Sequence, residues 1–128
     1  MPFQLSPRIY ALLLCASITQ DQNTGGWFIQ PFSHVTVQQL PTDLALTVFA
    51  QIMAPPGQYD LTLRLFHAAE PEKTEQVLPS RPFSVEEGKN LDFMLHVEAR
   101  FTKLGLYIVE ASIAGHHTAV TPLRLSAG

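Results

Sequence analysis

Apolar and polar residues alternate with a period of two along most of this sequence, and no helical period of 3.6 persists for three turns. In residues 58–65, Tyr59, Leu61 and Leu63 fall on one side, and the residues between them are polar. Successive side chains of a strand point to opposite faces of its sheet, so this pattern is typical of a strand with one buried and one wet face. The sequence therefore predicts a chain of β-strands.

Similar segments recur along the chain, and Gly or Pro residues separate them. We predict strands over residues 8–18, 26–37, 43–53, 58–65, 91–97, 105–113 and 118–125. Pro31 interrupts the second of these, which suggests a bulge or a switch between two sheets. Seven or eight short strands without a helix or a linker predict one all-β domain over residues 1–128, an immunoglobulin-like antiparallel β-sandwich.

Two of the predicted strands begin with the same Gly-x-Tyr pattern. Gly57 precedes Tyr59 in "PGQYDLTLRL", and Gly105 precedes Tyr107 in "LGLYIVEASI". Glycine permits the turn into the strand, and the tyrosine ring can cap the core while its hydroxyl reaches backbone polar groups. We expect each tyrosine to close one corner of the sandwich.

Four segments together resemble a family of short bacterial proteins known only as a domain of unknown function. The segments are "PRIYALLLCASITQDQNTGGWFIQPF", "LPTDLALTVFAQI", "GQYDLTLRL" and "GLYIVEASIAGHHTAVTPLRL", which span nearly the whole chain. The resemblance implies a stand-alone sandwich made without a signal peptide. It implies no activity and no catalytic residues.

The charge pattern excludes nucleic acid as a partner. Charged residues make up 15% of the chain, its net charge is −3, and its eight Lys and Arg residues are scattered. Nucleic-acid binding needs clustered cations that displace counterions from phosphates. With Cys15 as the one cysteine, no intramolecular disulfide can form, and we expect its thiol to be a small buried hydrophobe in a reducing compartment.

The apolar run near the N-terminus is interpreted as a buried strand. Only Arg8 precedes this run, and no small-x-small cleavage site follows it, so it is a poor secretion signal. It is also too short to span a bilayer. We expect no membrane span and a cytoplasmic location.

No constellation of residues in the sequence indicates catalysis. The five histidines lack the spacing of a zinc site, so we expect neither a metal nor another cofactor. His96 and Glu98 lie two apart on one strand face and could orient a general base, but a surface hydrogen bond is the simpler interpretation. We predict no catalytic residues and a protein that is not an enzyme. The alternative is an enzyme that uses this pair or the acidic turns.

Large apolar residues fall on strand faces opposite the expected core. A free sandwich would place polar residues there, and contiguous exposed apolar patches mark interfaces. Either the faces are assigned wrongly or loops cover them, or they bind a homodimer partner or another protein. The candidate interface residues are Leu12, Leu14, Trp27, Phe28, Phe49, Met53, Leu106 and Ile108.

Two non-catalytic functions follow from these expectations. The first is a protein–protein interaction module or an accessory, structural subunit of a larger bacterial assembly. The second is a carbohydrate- or small-ligand-binding sandwich, in which Trp27, Phe28 or Phe32 stacks on the ligand and His34 or Gln30 supplies a polar contact.

Overall fold

The computed structural model describes residues 6–77, 80–87 and 91–128, which form ten β-strands and no helix. The strands are β1 (Arg8–Gln20), β2 (Trp27–Pro31), β3 (His34–Val37), β4 (Thr42–Met53), β5 (Gly57–His67), β6 (Thr74–Val77), β7 (Arg81–Val85), β8 (Leu91–Phe101), β9 (Gly105–Ile113) and β10 (His117–Ala127). The all-β prediction is confirmed.

The strands form two sheets that pack around one core. The first sheet has the order β2-β1-β4-β8, and the second has the order β3-β10-β9-β5-β6, with β7 also paired to β5. Core residues come from both sheets, among them Val48 and Leu95 of the first and Leu63 and Val109 of the second. The architecture is therefore a two-layer β-sandwich.

The strand count and one pairing differ from the prediction. Ten strands replace the expected seven or eight, because the segment 26–37 divides into β2 and β3 and because β6 and β7 were not predicted. The sandwich is also not purely antiparallel, since β3 runs parallel to β10.

The chain crosses from the first sheet to the second just after Pro31. The backbone N–H of Phe32 donates to the carbonyl of Leu14 in β1, at 3.0 Å. The next residue, Ser33, accepts from the N–H of Arg124 in β10, at 2.8 Å. Proline has no N–H for a sheet ladder, and the predicted switch between sheets occurs at this point.

The alternation places side chains on the core face as expected in most long strands. Leu61 and Leu63 of β5 are buried, and so are Tyr107 and Val109 of β9. Each such side chain contributes about 1.5–3 kcal/mol to folding when it leaves water.

The facing predicted for Leu12 and Leu14 of β1 is wrong. Leu12 pairs with Ala50 and Leu14 pairs with Val48, and both leucines belong to the core cluster. Because β1 is apolar on both faces, its pattern does not distinguish the core side from the outer side. A register shift near its start adds one residue that the alternation could not anticipate.

Both tyrosines of the Gly-x-Tyr pattern bond to backbone four residues upstream. The Tyr59 hydroxyl donates to the carbonyl of Pro55 at 2.7 Å, and the Tyr107 hydroxyl donates to that of Lys103 at 3.1 Å. Tyr107 is fully buried and packs edge-on against Phe101 across the core. The two tyrosines therefore tie the entries of β5 and β9 to the core, as expected.

Candidate functional site

A row of apolar side chains crosses the outer face of the first sheet. Leu13 of β1 pairs with Phe49 of β4, and Phe49 pairs with Met94 of β8. Directly paired residues in neighbouring strands point to the same side of a sheet, so these three side chains adjoin one another.

The indole of Trp27 covers the middle of this row. Its ring centroid lies 6.1 Å from that of Phe49, and the two ring planes are inclined at 59°. Its Nε1 donates a 2.7 Å hydrogen bond to Oδ2 of Asp92. Since Trp27 and Asp92 belong to the two edge strands of the sheet, the end of the β1–β2 hairpin must curl over the outer face. The register shift between Cys15 and Ser17 supplies the bend, because a bulge sharpens the local twist.

Asp92 is the polar centre of this face. Its Oδ1 accepts a 3.2 Å hydrogen bond from Nε2 of Gln51, in addition to the bond from the indole. Partial burial and the negative charge of Asp92 together raise the pKa of the Tyr10 hydroxyl above its ordinary value. The carboxylate therefore gathers an indole and an amide, and its charge acts on the Tyr10 hydroxyl. We call this surface the Trp27 face; it comprises Tyr10, Leu13, Trp27, Phe49, Gln51, Asp92 and Met94.

Two large side chains of the Trp27 face remain open to solvent. Tyr10 is 44% exposed and Met94 is 39% exposed, whereas Phe49 beneath the indole is only 1% exposed. The expectation that Phe49 offers an open apolar ring is therefore wrong: Phe49 points outward, but Trp27 covers it. Phe28 points away from the Trp27 face and is 66% exposed.

The structure does not gather the eight predicted interface residues into one surface. Leu12 and Leu14 lie in the core, and only Trp27 and Phe49 lie on the Trp27 face. Phe28 lies on the opposite side of the hairpin, and Met53 is half-buried at the end of β4. Leu106 and Ile108 are half-buried on the outer face of the second sheet. Their role in binding stays a prediction.

The outer face of the second sheet is more polar than the Trp27 face. Phe66 pairs with Ile108, but the guanidinium of Arg64 lies 4.1 Å from the centroid of the Phe66 ring and covers it. Arg64 also forms a 3.3 Å ion pair with Glu110. Val120 of β10 is 59% exposed.

His96 is one member of the pair considered for acid–base chemistry. The ring of His96 contacts the Thr47 hydroxyl at 3.2 Å (Nδ1 to Oγ1), and no ion pair joins it to Glu98. Among the residues that the structure describes, no three His, Cys, Asp or Glu side chains converge on a point that could hold a metal ion. Over the same ranges no helix is long and apolar enough to cross a membrane.

Sequence reasoning missed five members of the Trp27 face: Tyr10, Leu13, Gln51, Asp92 and Met94. Asp92 and Met94 fall within the strand predicted over residues 91–97, but that strand was not connected to Trp27. The indole and its carboxylate partner are 65 positions apart in the chain. The only local indication was the polar–apolar alternation of β8, which gives the face but not the partner.

Comparisons with known proteins identify a family and a shared fold. Among solved structures, the chain is similar to the crystal structure of β-glucosidase from Listeria innocua, with a TM-score of 0.50 and 10% sequence identity. That match covers 92% of this chain and 16% of the β-glucosidase chain, and it shows the fold alone. No curated protein matches. A family model described as a family of unknown function, DUF6941, matches residues 10–126. The chain therefore belongs to the DUF6941 family.

Proposed function

We propose that this protein is a non-catalytic interaction module that binds a protein partner through the Trp27 face. We further propose that it serves as an accessory subunit of a larger bacterial assembly in the cytoplasm, and that its sandwich is of immunoglobulin-like type. The observation that carries the proposal is the grouping of Trp27, Tyr10 and Met94 on one outer sheet face.

The composition of the Trp27 face is that of an interface core. Trp, Tyr and Met are enriched where proteins bind one another, and Trp and Tyr are also enriched among binding hot spots. The hydrogen bond from Trp27 to Asp92 holds the indole in place before a partner arrives. A fixed aromatic side chain loses little conformational entropy on binding, which favours affinity.

Polar groups at the centre of the face would give the interaction its specificity. A carboxylate has about four acceptor positions, and described residues occupy two of those of Asp92. A partner donor placed there would gain a charge-assisted hydrogen bond. A partner with an apolar group in the same place would leave the carboxylate desolvated, which is costly.

Affinity capture with matched variants tests the proposal. Tyr10→Ala removes an exposed ring from the Trp27 face, and Val120→Ala removes an exposed apolar side chain from the second sheet. We expect wild type and Val120→Ala to retain a stoichiometric protein from extract of the source cells, and Tyr10→Ala to lose at least about tenfold in affinity, as for a hot-spot truncation. Equal retention by all three proteins would contradict the proposal.

A carbohydrate- or small-ligand-binding module is the second candidate. The observation that favours it is the hydrogen-bonded pair of Gln51 and Asp92, whose polar groups suit sugar hydroxyls, together with the exposed Tyr10 ring, on whose hydroxyl the charge of Asp92 acts. The platform expected from Phe32 and His34 receives no support, because the ring of His34 bonds instead to the Ser126 hydroxyl. Titration with an oligosaccharide panel, read out by calorimetry, separates the candidates: binding that Tyr10→Ala abolishes would favour the ligand.

A further inference from the structure

The strand β8 is an edge of the first sheet, and β6 of the second sheet approaches it without pairing. Its eleven residues pair with β4 without a register shift, and no other strand extends the sheet beyond it. Within the described ranges, no backbone hydrogen bond links β8 to a residue outside β4. An edge strand presents a row of unpaired N–H and C=O groups, which is a template for another strand.

The remaining edges of the described sheets carry the features that block such pairing. The edge strand β2 has five residues and ends in Pro31, β7 has five residues and contains Pro82, and β3 and β6 have four residues each. Short length and proline are both protective at an edge. In contrast, β8 is long and regular, contains no proline, and turns no charged side chain toward the core.

The charges on the outer side of β8 are complementary to a second copy of the same strand. In an antiparallel pair centred on His96, all eleven residues find partners. Asp92 of each copy then lies opposite Arg100 of the other, and this pairing occurs twice. Opposite charges directly across two strands stabilise their pairing.

Other registers are less favourable on the same grounds. If the two-fold axis of the pair passed through Leu95, Asp92 would lie opposite Glu98 of the second copy. If it passed through Glu98, the two Glu98 residues would lie opposite each other. Like charges in these positions are destabilising. An axis at Val97 would leave the first two residues of β8 without partners.

Both charged residues are available for the second copy. Among the described residues, Arg100 has one ion pair, to Asp43 at 3.7 Å, and both side chains are largely exposed, so that contact is weak. In the part of the chain that the structure describes, Asp92 accepts two hydrogen bonds, and a carboxylate has about four acceptor positions.

We propose that β8 pairs antiparallel with β8 of a second copy, centred on His96, to join two four-stranded sheets into one eight-stranded sheet. The pairing is isologous, so it closes as a two-fold dimer and does not propagate into fibres. Its backbone hydrogen bonds use the edge of the first sheet, but its ion pairs use Asp92, which also belongs to the Trp27 face, so a partner on that face would share this carboxylate with the second copy.

A charge-exchange experiment tests the register. Asp92→Arg places two arginines opposite each other at both ends of the pair, and Arg100→Asp places two aspartates there. We expect wild type to sediment as a dimer and each variant alone to weaken dimerisation at least tenfold. An equimolar mixture restores both ion pairs, so it forms a heterodimer. Arg124→Asp, a matched charge change on β10, leaves the dimer intact.

Three results would overturn the proposal: a wild-type protein that stays monomeric at millimolar concentration, a dimer that Arg100→Asp does not weaken, or a mixture that does not reassociate. Circular dichroism verifies that each variant is folded, since Asp92→Arg also removes the acceptor of the indole. Hydrogen exchange on the wild type gives an independent reading. Amides of β8 must exchange more slowly as protein concentration rises, and concentration-independent exchange in β8 would contradict the pairing.

Discussion

The indole Nε1 of Trp27 donates a 2.7 Å hydrogen bond to the carboxylate of Asp92, and this bond joins the two edge strands of the first sheet across its outer face. It buries Phe49 and leaves Tyr10 and Met94 partly open. The hydrogen bond between Trp27 and Asp92 thus explains why Phe49 is buried although it faces outward.

Trp27→Phe should destabilise the fold through the loss of this hydrogen bond. The phenyl ring keeps most of the contact with Phe49 but leaves Asp92 without its indole donor, and a hydrogen bond to a charged group contributes about 1.5–3 kcal/mol. We expect a loss at the lower end of that range, because the site is only half-buried. Urea unfolding followed by circular dichroism measures it. Phe28→Leu, at the adjacent exposed position, is the control and should change stability by about 0.5 kcal/mol or less. Equal stability of Trp27→Phe and wild type would show that the bond is not stabilising.

Gly105→Ala should cost more than Gly25→Ala. Both glycines have positive φ, +119° and +74°, so both alanines would be strained. A Cβ on Gly105 would also lie 2.8 Å from Nε2 of His67, whereas one on Gly25 would meet nothing within 4 Å. We expect about 1–2 kcal/mol for strain alone and about 1–3 kcal/mol more for the clash. Thermal unfolding of both variants checks this order.

The double variant that combines Gly105→Ala with His67→Ala separates the clash from the strain. Removing the imidazole relieves the clash, so the two changes should be less costly together than the sum of the single changes. Strict additivity would mean that the contact with His67 plays no part.

Cys15 should be nearly inert toward thiol reagents in the folded protein. Its side chain is buried, and burial raises the pKa of the thiol, so less of the reactive thiolate is present at neutral pH. We expect labelling by an aromatic disulfide to be more than about tenfold slower than in urea. As the chain has one cysteine, the kinetics report this position alone. Equally fast labelling in both conditions would contradict its burial.

Glu70 should make the fold sensitive to acid. Lys103 lies 2.6 Å away (Nζ to Oε1), and its hydrogen bond and charge hold the pKa of Glu70 below its ordinary value. A pKa that is lower in the folded state stabilises the fold above the ordinary value of about 4.3, and this contribution disappears as the pH falls through the folded pKa. The thermal midpoint of wild type should therefore fall more steeply below about pH 5 than that of Glu70→Gln.

The control for this pH series is Glu72→Gln, which removes a charge from the same loop and keeps the pair of Glu70 with Lys103. High salt should reduce the difference between wild type and Glu70→Gln, because the pair is exposed and ions screen it. Parallel pH profiles for wild type and Glu70→Gln would show that the pair contributes nothing.

Local patterns predicted the sandwich because most strands have one apolar face. Leu61 and Leu63 alternate with polar residues, so their side of the sheet could be read directly, and Pro31 indicated the crossing between sheets. Leu12 and Leu14 could not be assigned in the same way, since β1 is apolar on both faces and contains a bulge. The pattern of such a strand carries no information about facing.

The candidate site was less accessible to sequence reasoning than the fold. Trp27 was a candidate for binding, but its partner Asp92 comes from a strand that is distant in the chain and not adjacent to β2 in the sheet. Only the curl of the hairpin brings the two together. Phe49 was expected to be exposed because a period-two pattern shows which residues face outward but not whether another element covers them.

The most direct test of the proposed interface uses Trp27 itself, which is the one tryptophan of the chain. Quenching of its fluorescence by acrylamide should be measured in the free protein and again with a saturating amount of the captured partner. The partner is used in a form that lacks tryptophan or does not fluoresce. If the partner covers the Trp27 face, the quenching constant should fall several-fold and the emission should move to shorter wavelength. Unchanged quenching and emission in the saturated complex would contradict the proposal that this face is the binding surface.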